Sequence, residues 1–517
     1  MDLSSDQLTL LDLPEQATQP KNISSGKRKL KSVNREQTML ASIYIEELIA
    51  PDHKARAIWE LVGRMDLSGF IEPLRTTEGA PGASAWDPRL LISLWVYAMS
   101  EGITKAREIE RWMQWEPGMM WLAALATINH HSLSDIRVNH KAALDELFVE
   151  LLVVLEGAQM ISLEQVAHDG MKIRALAGAD SFRREKTIRQ RQLQARQVVE
   201  QLGDARGQEP LSERKQAARE RAAREIEERL TAALEAVNAL KEAASSEEEK
   251  AEIRVSVQEP EARNMKHGDN AIAPSYNAQI TTDTKAKIIV GVDLTQCSSD
   301  AQSLIPAMEE VERNLGRTPA QAIADGGFTN RENIQQSAAR KIDLVGSLPD
   351  PKERSAAAMK ALGIDPKFAP AEFRIVNEGA QLECPAGCRW ERLRQNRKRG
   401  DLYQQYRARG EDCGACVYQR QCCPKQPPGG RTVSIRLEEQ ADVAAFRKKM
   451  ETPEYREIYR KRGAVAEFPN AWIKEKLGLR KFSVRGMGKA RCELMWSCLT
   501  YNIMQWVRLV WRQPATA

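Results

Sequence analysis

Tyr276-Asn-Ala-Gln-Ile-Thr-Thr-Asp283 and, after a short turn, Lys287-Ile-Ile-Val-Gly-Val-Asp-Leu294 decide how this chain folds. The first run alternates at period two and the second is rich in β-branched residues, so together they predict an antiparallel hairpin. Upstream, Val166-Ala-His-Asp169 reads as a strand. Downstream, a helical pattern over about 300–315 precedes the strand Ala322-Ile-Ala-Asp325, a further helix, and the strand Ile342-Asp-Leu-Val-Gly346. Strand, hairpin, helix, strand, helix, strand predicts an α/β fold, a mixed five-stranded sheet with helical cover.

Working outward, residues 1–37 are polar and carry the basic run Lys27-Arg-Lys-Leu-Lys31, which fits either a flexible solvated tail or a DNA-contacting arm. Residues 38–158 are helical in pattern. Asp87-Pro88 is a helix start, and Leu90, Leu91, Leu94, Trp95 and Ala98 follow on one face. Short linked helices with exposed Arg and Lys fit a helix-turn-helix-like DNA reader, and fit a plain helical bundle equally well. The α/β core is then assigned to 159–182 and 251–349, interrupted by 183–250. That interruption is rich in Arg, Glu, Ala, Leu and Gln and reads as a coiled-coil-like hairpin of two long helices joined near Gly203–Gly207. It would pair subunits or stand as a solvated arm. A second interruption, 350–430, holds six of the nine cysteines, and 431–517 returns to the core. In the last helix, about 488–511, the stripe Leu494, Met495, Trp496, Leu499, Ile503, Trp506, Val507 and Val510 is expected to pack on the sheet.

At 517 residues with 42% hydrophobic content, the chain is long enough for several domains with real cores. Its formal charge of +5 requires any nucleic-acid surface to be local. No run of about 18 apolar residues and no apolar leader appear, which predicts an intracellular protein without a membrane span. In such a compartment clustered cysteines point to metal rather than disulfides. Cys384, Cys388, Cys413-Gly-Ala-Cys416 and Cys422-Cys423 have tetrahedral zinc spacing. The preferred ligands of a structural zinc ion, in a zinc-ribbon-like insertion, are Cys384, Cys413, Cys416 and Cys422, with Cys388 and Cys423 as substitutes. Free thiols or an oxidised loop are the plainer alternative. Cys297, Cys492 and Cys498 read as packing residues.

Three carboxylates close or follow apolar stretches: Asp169, Asp325 and Glu467. A carboxylate at the tip of a buried strand is costly unless paired, and three together can share divalent metal and cut phosphodiester bonds. Taken singly, each is better explained as a strand-end cap or surface acid than as a catalytic group. His168, beside Asp169, should face the opposite side of its strand and be structural. Between Lys474 and Arg491 stand seven cationic residues and one anionic one. With apolar residues interleaved, this patch reads as a phosphate-backbone contact through Lys474, Arg480, Lys481, Arg485 and Lys489, rather than as a solvated face.

The pieces Asp169-Gly-Met-Lys-Ile-Arg-Ala175, Ser275-Tyr-Asn-Ala-Gln279, Ala324-Asp-Gly-Gly-Phe328, Glu467, Arg485-Gly486 and Tyr501-Asn502 occur in an order that resembles bacterial insertion-sequence transposases of the DDE class. The resemblance spans most of residues 85–505, and the N-terminal helices and the cysteine insertion also look like parts of that family. It implies a ribonuclease-H-like catalytic domain, with Asp169, Asp325 and Glu467 holding two Mg²⁺ (or Mn²⁺) ions. It further implies cleavage of transposon ends and their joining to target double-stranded DNA by a homodimer or higher oligomer at the bacterial nucleoid, in the cytoplasm. Tyr459, Arg462, Glu467 and Lys474 are similar to the family's Tyr-Arg-Glu-Lys series and would contact DNA. They depart from it in having four residues between Arg462 and Glu467, and Phe468-Pro-Asn470 where relatives carry Phe-Gly. Competing readings are a non-catalytic DNA-binding regulator of the same shape, and a stand-alone metal-dependent nuclease.

Overall fold

The computed structural model describes residues 42–73, 84–204, 213–348, 358–398, 400–425 and 429–511. Residues 1–44 form one unit, of which only 42–44 are described, and residues 45–517 form the other. The expected basic tail 1–37 therefore lies outside the described residues.

The hairpin is formed by β2 (Ile272–Asp283) and β3 (Ile289–Thr295), paired antiparallel. β1 (Gln165–Arg174) runs antiparallel to β2, β4 (Gln321–Ala324) runs parallel to β1, and β5 (Asp343–Val345) runs parallel to β4. The order across the sheet is β3-β2-β1-β4-β5, with the helix Leu304–Leu315 between β3 and β4 and Arg331–Ala339 between β4 and β5. A sixth strand, Arg263–Lys266, pairs with the start of β2. Its sequence, Arg-Asn-Met-Lys, carries no alternation, so the expectation of five strands falls one short.

Two strands differ from their reading. β1 does not end at Asp169 but continues through Gly170 to Arg174, because the edge of β2 from Ser275 to Ile280 supplies backbone partners that Gly170 and Lys172 do not advertise. β2 is buried on both faces, so its alternation is not core against solvent. One face is apolar, through Tyr276, Ala278 and Ile280. The other is polar and equally buried, through Asn277, Gln279 and Thr281.

The helix Pro88–Ser100 starts as expected, with Asp87 accepting from the Arg89 N–H and Pro88 in the first turn. It is buried nearly all round rather than on one face, since Ile92, Ser93, Val96, Tyr97 and Met99 are also enclosed. The long C-terminal helix Met487–Trp506 explains this. It packs on β3 and on the helices Pro88–Ser100, His130–Asn139 and Lys141–Gly157 at once. Trp95 and Trp496 lie 6.5 Å apart, and the Trp496 indole N–H donates to the Arg137 carbonyl. The N-terminal helices and the sheet thus share one hydrophobic core instead of forming the separate bundle that pattern suggested.

Both insertions leave this core. Residues Glu185–Asp204 and Glu213–Ala243 form the long helical pair, tied by Arg196–Glu227 at 3.0 Å and Gln192–Thr231 at 2.8 Å. Of the expected connection, Ala205, Arg206 and Gly207 lie outside the described residues. The pair has its own small core of Ile188, Leu230, Ala233, Leu234, Val237 and Val255. The cysteine insertion holds a five-stranded antiparallel sheet whose last strand, Thr432–Glu438, lies beyond the expected boundary at 430.

Candidate active site

Asp169 sits in the middle of β1, opposite Ile280, with its side chain half-buried. Its Oδ1 accepts from the Gly170 N–H at 2.9 Å, and its Oδ2 accepts from Asn470 Nδ2 at 3.0 Å. Burial pushes its carboxyl up to about 6; Arg462 and the two hydrogen bonds pull it back, and the nearby charge of Asp325 pushes it further up. Asp325 follows β4 directly and lies beside β1, since β4 pairs with β1 only as far as Ala324 opposite His168. Its Oδ1 accepts from the Gly327 N–H at 2.7 Å, which sets the tight Asp325-Gly-Gly turn.

The helix Arg462–Glu475 packs across β1 and β2 and carries the third acid. Spacings of three and four residues put Glu467, Asn470 and Lys474 on one helical face. Asn470 touches Asp169. Lys474 is close enough for the Asp169 charge to favour its ammonium form, although burial, the larger effect, holds its pKa below the usual lysine range. Glu467 is turned to Arg462, at 3.5 Å, with its side chain 65% exposed. Asp169 and Asp325 thus lie on or just past adjoining central strands, and Asn470 brings the helix of Glu467 against Asp169, but the three acids form no closed cluster: among the described residues no three or more His, Cys, Asp or Glu side chains converge on a metal-sized site. Arg462 competes for Glu467, and three carboxylates repel one another unless a cation lies between them.

His168 faces the other side of β1, as alternation requires. It is fully buried, bonded to Thr281 Oγ1 at 2.9 Å and Gln279 Oε1 at 3.0 Å, and stacked edge-on against Phe328. Burial drives its pKa down to about 4, so it is neutral at physiological pH. Beside it lies an acid that sequence reasoning missed. Asp300 accepts from Asn277 Nδ2 at 2.6 Å and Gln279 Nε2 at 3.1 Å. A Cβ on Gly170 would meet its Oδ1 at 2.7 Å, so glycine at this place in Asp169-Gly permits the approach. Asp300 stands in a loop without periodicity, where no pattern marks it.

The basic segment is divided by its contacts. The Arg480 carbonyl accepts from the Arg174 N–H and the Phe482 N–H donates to the Arg174 carbonyl, so the segment runs along the end of β1. Lys481 is exposed there, Arg485 and Lys489 are exposed further along the chain, and Arg480 is paired with Glu475. Tyr459 is half-buried on the preceding helix, Pro453–Arg460. Its neighbour Tyr455 bonds Asp343, which also holds Lys449.

In the second insertion all six cysteines line one small, largely apolar cavity together with Phe368, Trp390 and Asp412. The Cys384 N–H donates to the Cys388 carbonyl across a turn with Gly387 at φ +83°. Among the described residues no three or more of these thiols converge as a metal-sized group, and Cys422 Sγ accepts from the buried Arg431 at 2.9 Å.

Residues 383–507 match the family model described as transposase DDE domain, and residues 43–139 match that of a transposase domain (DUF772). These matches support a transposase of the DDE class. The first covers the last three strands of the cysteine sheet, the Glu467 helix and the C-terminal helix, and leaves Asp169 and Asp325 outside it. The second covers the N-terminal helices as far as His130–Asn139 and stops before Lys141–Gly157. No curated protein matches the chain. Among the described residues no helix is long and apolar enough to cross a membrane.

Proposed function

We propose that this chain is an insertion-sequence transposase with a ribonuclease-H-like core. It would cut transposon ends by metal-dependent hydrolysis and join them to target DNA by transesterification. The observation that carries the reading is the Asp169–Asn470 contact, which ties the Glu467 helix to the sheet beside the carboxylate that Asp325 reaches electrostatically. Strand order β3-β2-β1-β4-β5 and the two transposase-domain matches support it.

Asp169, Asp325 and Glu467 are hard oxygen donors that suit Mg²⁺ or Mn²⁺, and the buried Asn470 Oδ1 beside Asp169 has no partner, which fits a hydrated cation there. When bound, such ions activate water or a DNA 3′-hydroxyl and stabilise charge on the phosphate. The chain's own part is to hold the DNA. Lys481 presents a cation at the end of β1 and Arg485 and Lys489 present two more beyond it, and Lys474 and Arg462 flank Asp169. Arg480 and Tyr459 complete the proposed DNA contacts, and double-stranded ends are held on two or more copies. In the cysteine cavity, we assign structural zinc to Cys384, Cys413 and Cys416, with Cys388 or Cys423 replacing the Arg431-bound Cys422. Metal analysis showing well under one zinc per chain counts against this.

Asp169→Asn should abolish Mg²⁺-dependent cleavage and joining of a duplex carrying the element's own ends, with end binding retained. Full cleavage by that variant sinks the assignment. Cleavage without joined product in the unmutated protein favours the nuclease reading.

A further inference from the structure

Asn470 is 7% exposed and sits inside a helix. Asparagine is a poor residue for such a place, since it has low helix propensity and its amide must be satisfied on both sides. Only one side is satisfied. Nδ2 donates to Asp169 Oδ2 at 3.0 Å, and Oδ1 is buried without a partner. The orientation is fixed by chemistry, because a carboxylate oxygen accepts and requires the amide N–H₂ to face it. An apolar residue of similar shape would pack the helix on β1 without leaving an orphan acceptor, which is costly when buried. Stability therefore does not account for Asn470.

The orphan oxygen lies on the helical face that also carries Glu467 one turn before it and Lys474 one turn after it. Its bonded partner, Asp169, is a half-buried acid of the proposed centre. What Oδ1 lacks is a donor, and the strongest donor that the neighbouring carboxylates would gather is water polarised by a divalent cation.

We propose that Asn470 is a positioning residue for the acidic centre: Nδ2 fixes the Asp169 carboxylate for a divalent cation, and Oδ1 accepts from a water in that cation's shell. This rests on the metal-dependent reading above. Partners that orient metal-binding carboxylates contribute roughly 10–100-fold to metal affinity.

The test is Mn²⁺ binding to the purified full chain by calorimetry, for the unmutated protein and for Asn470→Leu, Asn470→Ala and Asp169→Asn. Circular dichroism and metal-free melting check folding, and the alanine variant decides if leucine perturbs the helix. The expected result is Mn²⁺ affinity weakened roughly 10–100-fold in both Asn470 variants, with unchanged metal-free folding and DNA binding, and with cleavage restored by excess Mn²⁺. Affinity within about twofold of the unmutated protein, where Asp169→Asn loses binding, overturns the proposal and leaves the metal centre standing. If the unmutated chain binds no Mn²⁺, or Asp169→Asn binds it equally well, the metal-centre reading falls and takes the proposal with it.

Discussion

Burial of Asp169 has a sign that can be measured. Its carboxyl loses a proton near 3.8 when unfolded and near about 6 when folded, so between those values the folded state holds more protons. Raising pH through that window lowers stability, by about 3 kcal/mol once it is crossed. Asp169→Asn should therefore raise the melting temperature in chelator at pH 7.5, and the gain should vanish near pH 4; a gain equal at both pH values would refute the cause. His168 acts oppositely. Its pKa falls from 6.5 to about 4 on burial, so acidification through that range destabilises the fold as the unfolded chain takes up the proton. With the Asp169 carboxyl gone, the Asp169→Asn variant should lose stability on acidification from pH 6.5 to 4 more steeply than the unmutated protein, as read by thermal melts. Gly170→Ala should cost about 1–3 kcal/mol in urea unfolding, because its methyl would press on Asp300 and Gln279. The carboxylates Asp169 and Asp325 were legible because an acid at the end of an apolar run is rare. Asp300 and Asn470 were not, because Asp300 is held by Asn277 and Gln279 on another element and Asn470 by Asp169, 301 positions away in the chain.

Among elements, β3 is an edge strand closed by a helix rather than by another strand. Asn502 Oδ1 accepts from the Ile289 N–H and its Nδ2 donates to the Ile289 carbonyl, both at 2.8 Å, while the Tyr501 hydroxyl donates to the Lys287 carbonyl at 2.8 Å. One amide thus imitates a strand neighbour and blunts the edge. Asn502→Ala would leave both backbone groups buried and unpaired. A loss of about 2–4 kcal/mol in urea unfolding is expected, and a loss under about 0.5 would mean that water replaces the amide. The hairpin β2–β3 and the strands around Ala322 and Leu344 were readable from alternation and β-branching. The run of β1 past Asp169 was not, because Gly170 and Lys172 are poor strand formers held only by pairing with β2.

At the scale of the molecule, the helical arm is separable from the rest. Its base is the two-residue ladder Phe182↔Ser256 and Arg183↔Val255, and its apolar residues form a cluster apart from the main core. Replacing residues 184–254 by a two-residue Asn-Gly turn should leave one cooperative melting transition and an unchanged near-ultraviolet spectrum; loss of cooperativity would show that the arm belongs to the folding unit. The N-terminal helices should not be separable. Trp95, Trp496 and the Arg491–Asp145 pair at 2.5 Å join them to the C-terminal helix.

Local pattern by itself determined the α/β class, the central hairpin, the arm, the cysteine-rich insertion and two of the three acids' places beside the sheet, because periodicity and breaker residues act over a few positions. Tertiary structure alone decided that β2 is buried on both faces, that the first and last helices share one core, and that Asn470 reaches Asp169. Each of these is a pairing between segments far apart in the chain, and such pairings are set by which surfaces exclude water together rather than by any local spacing.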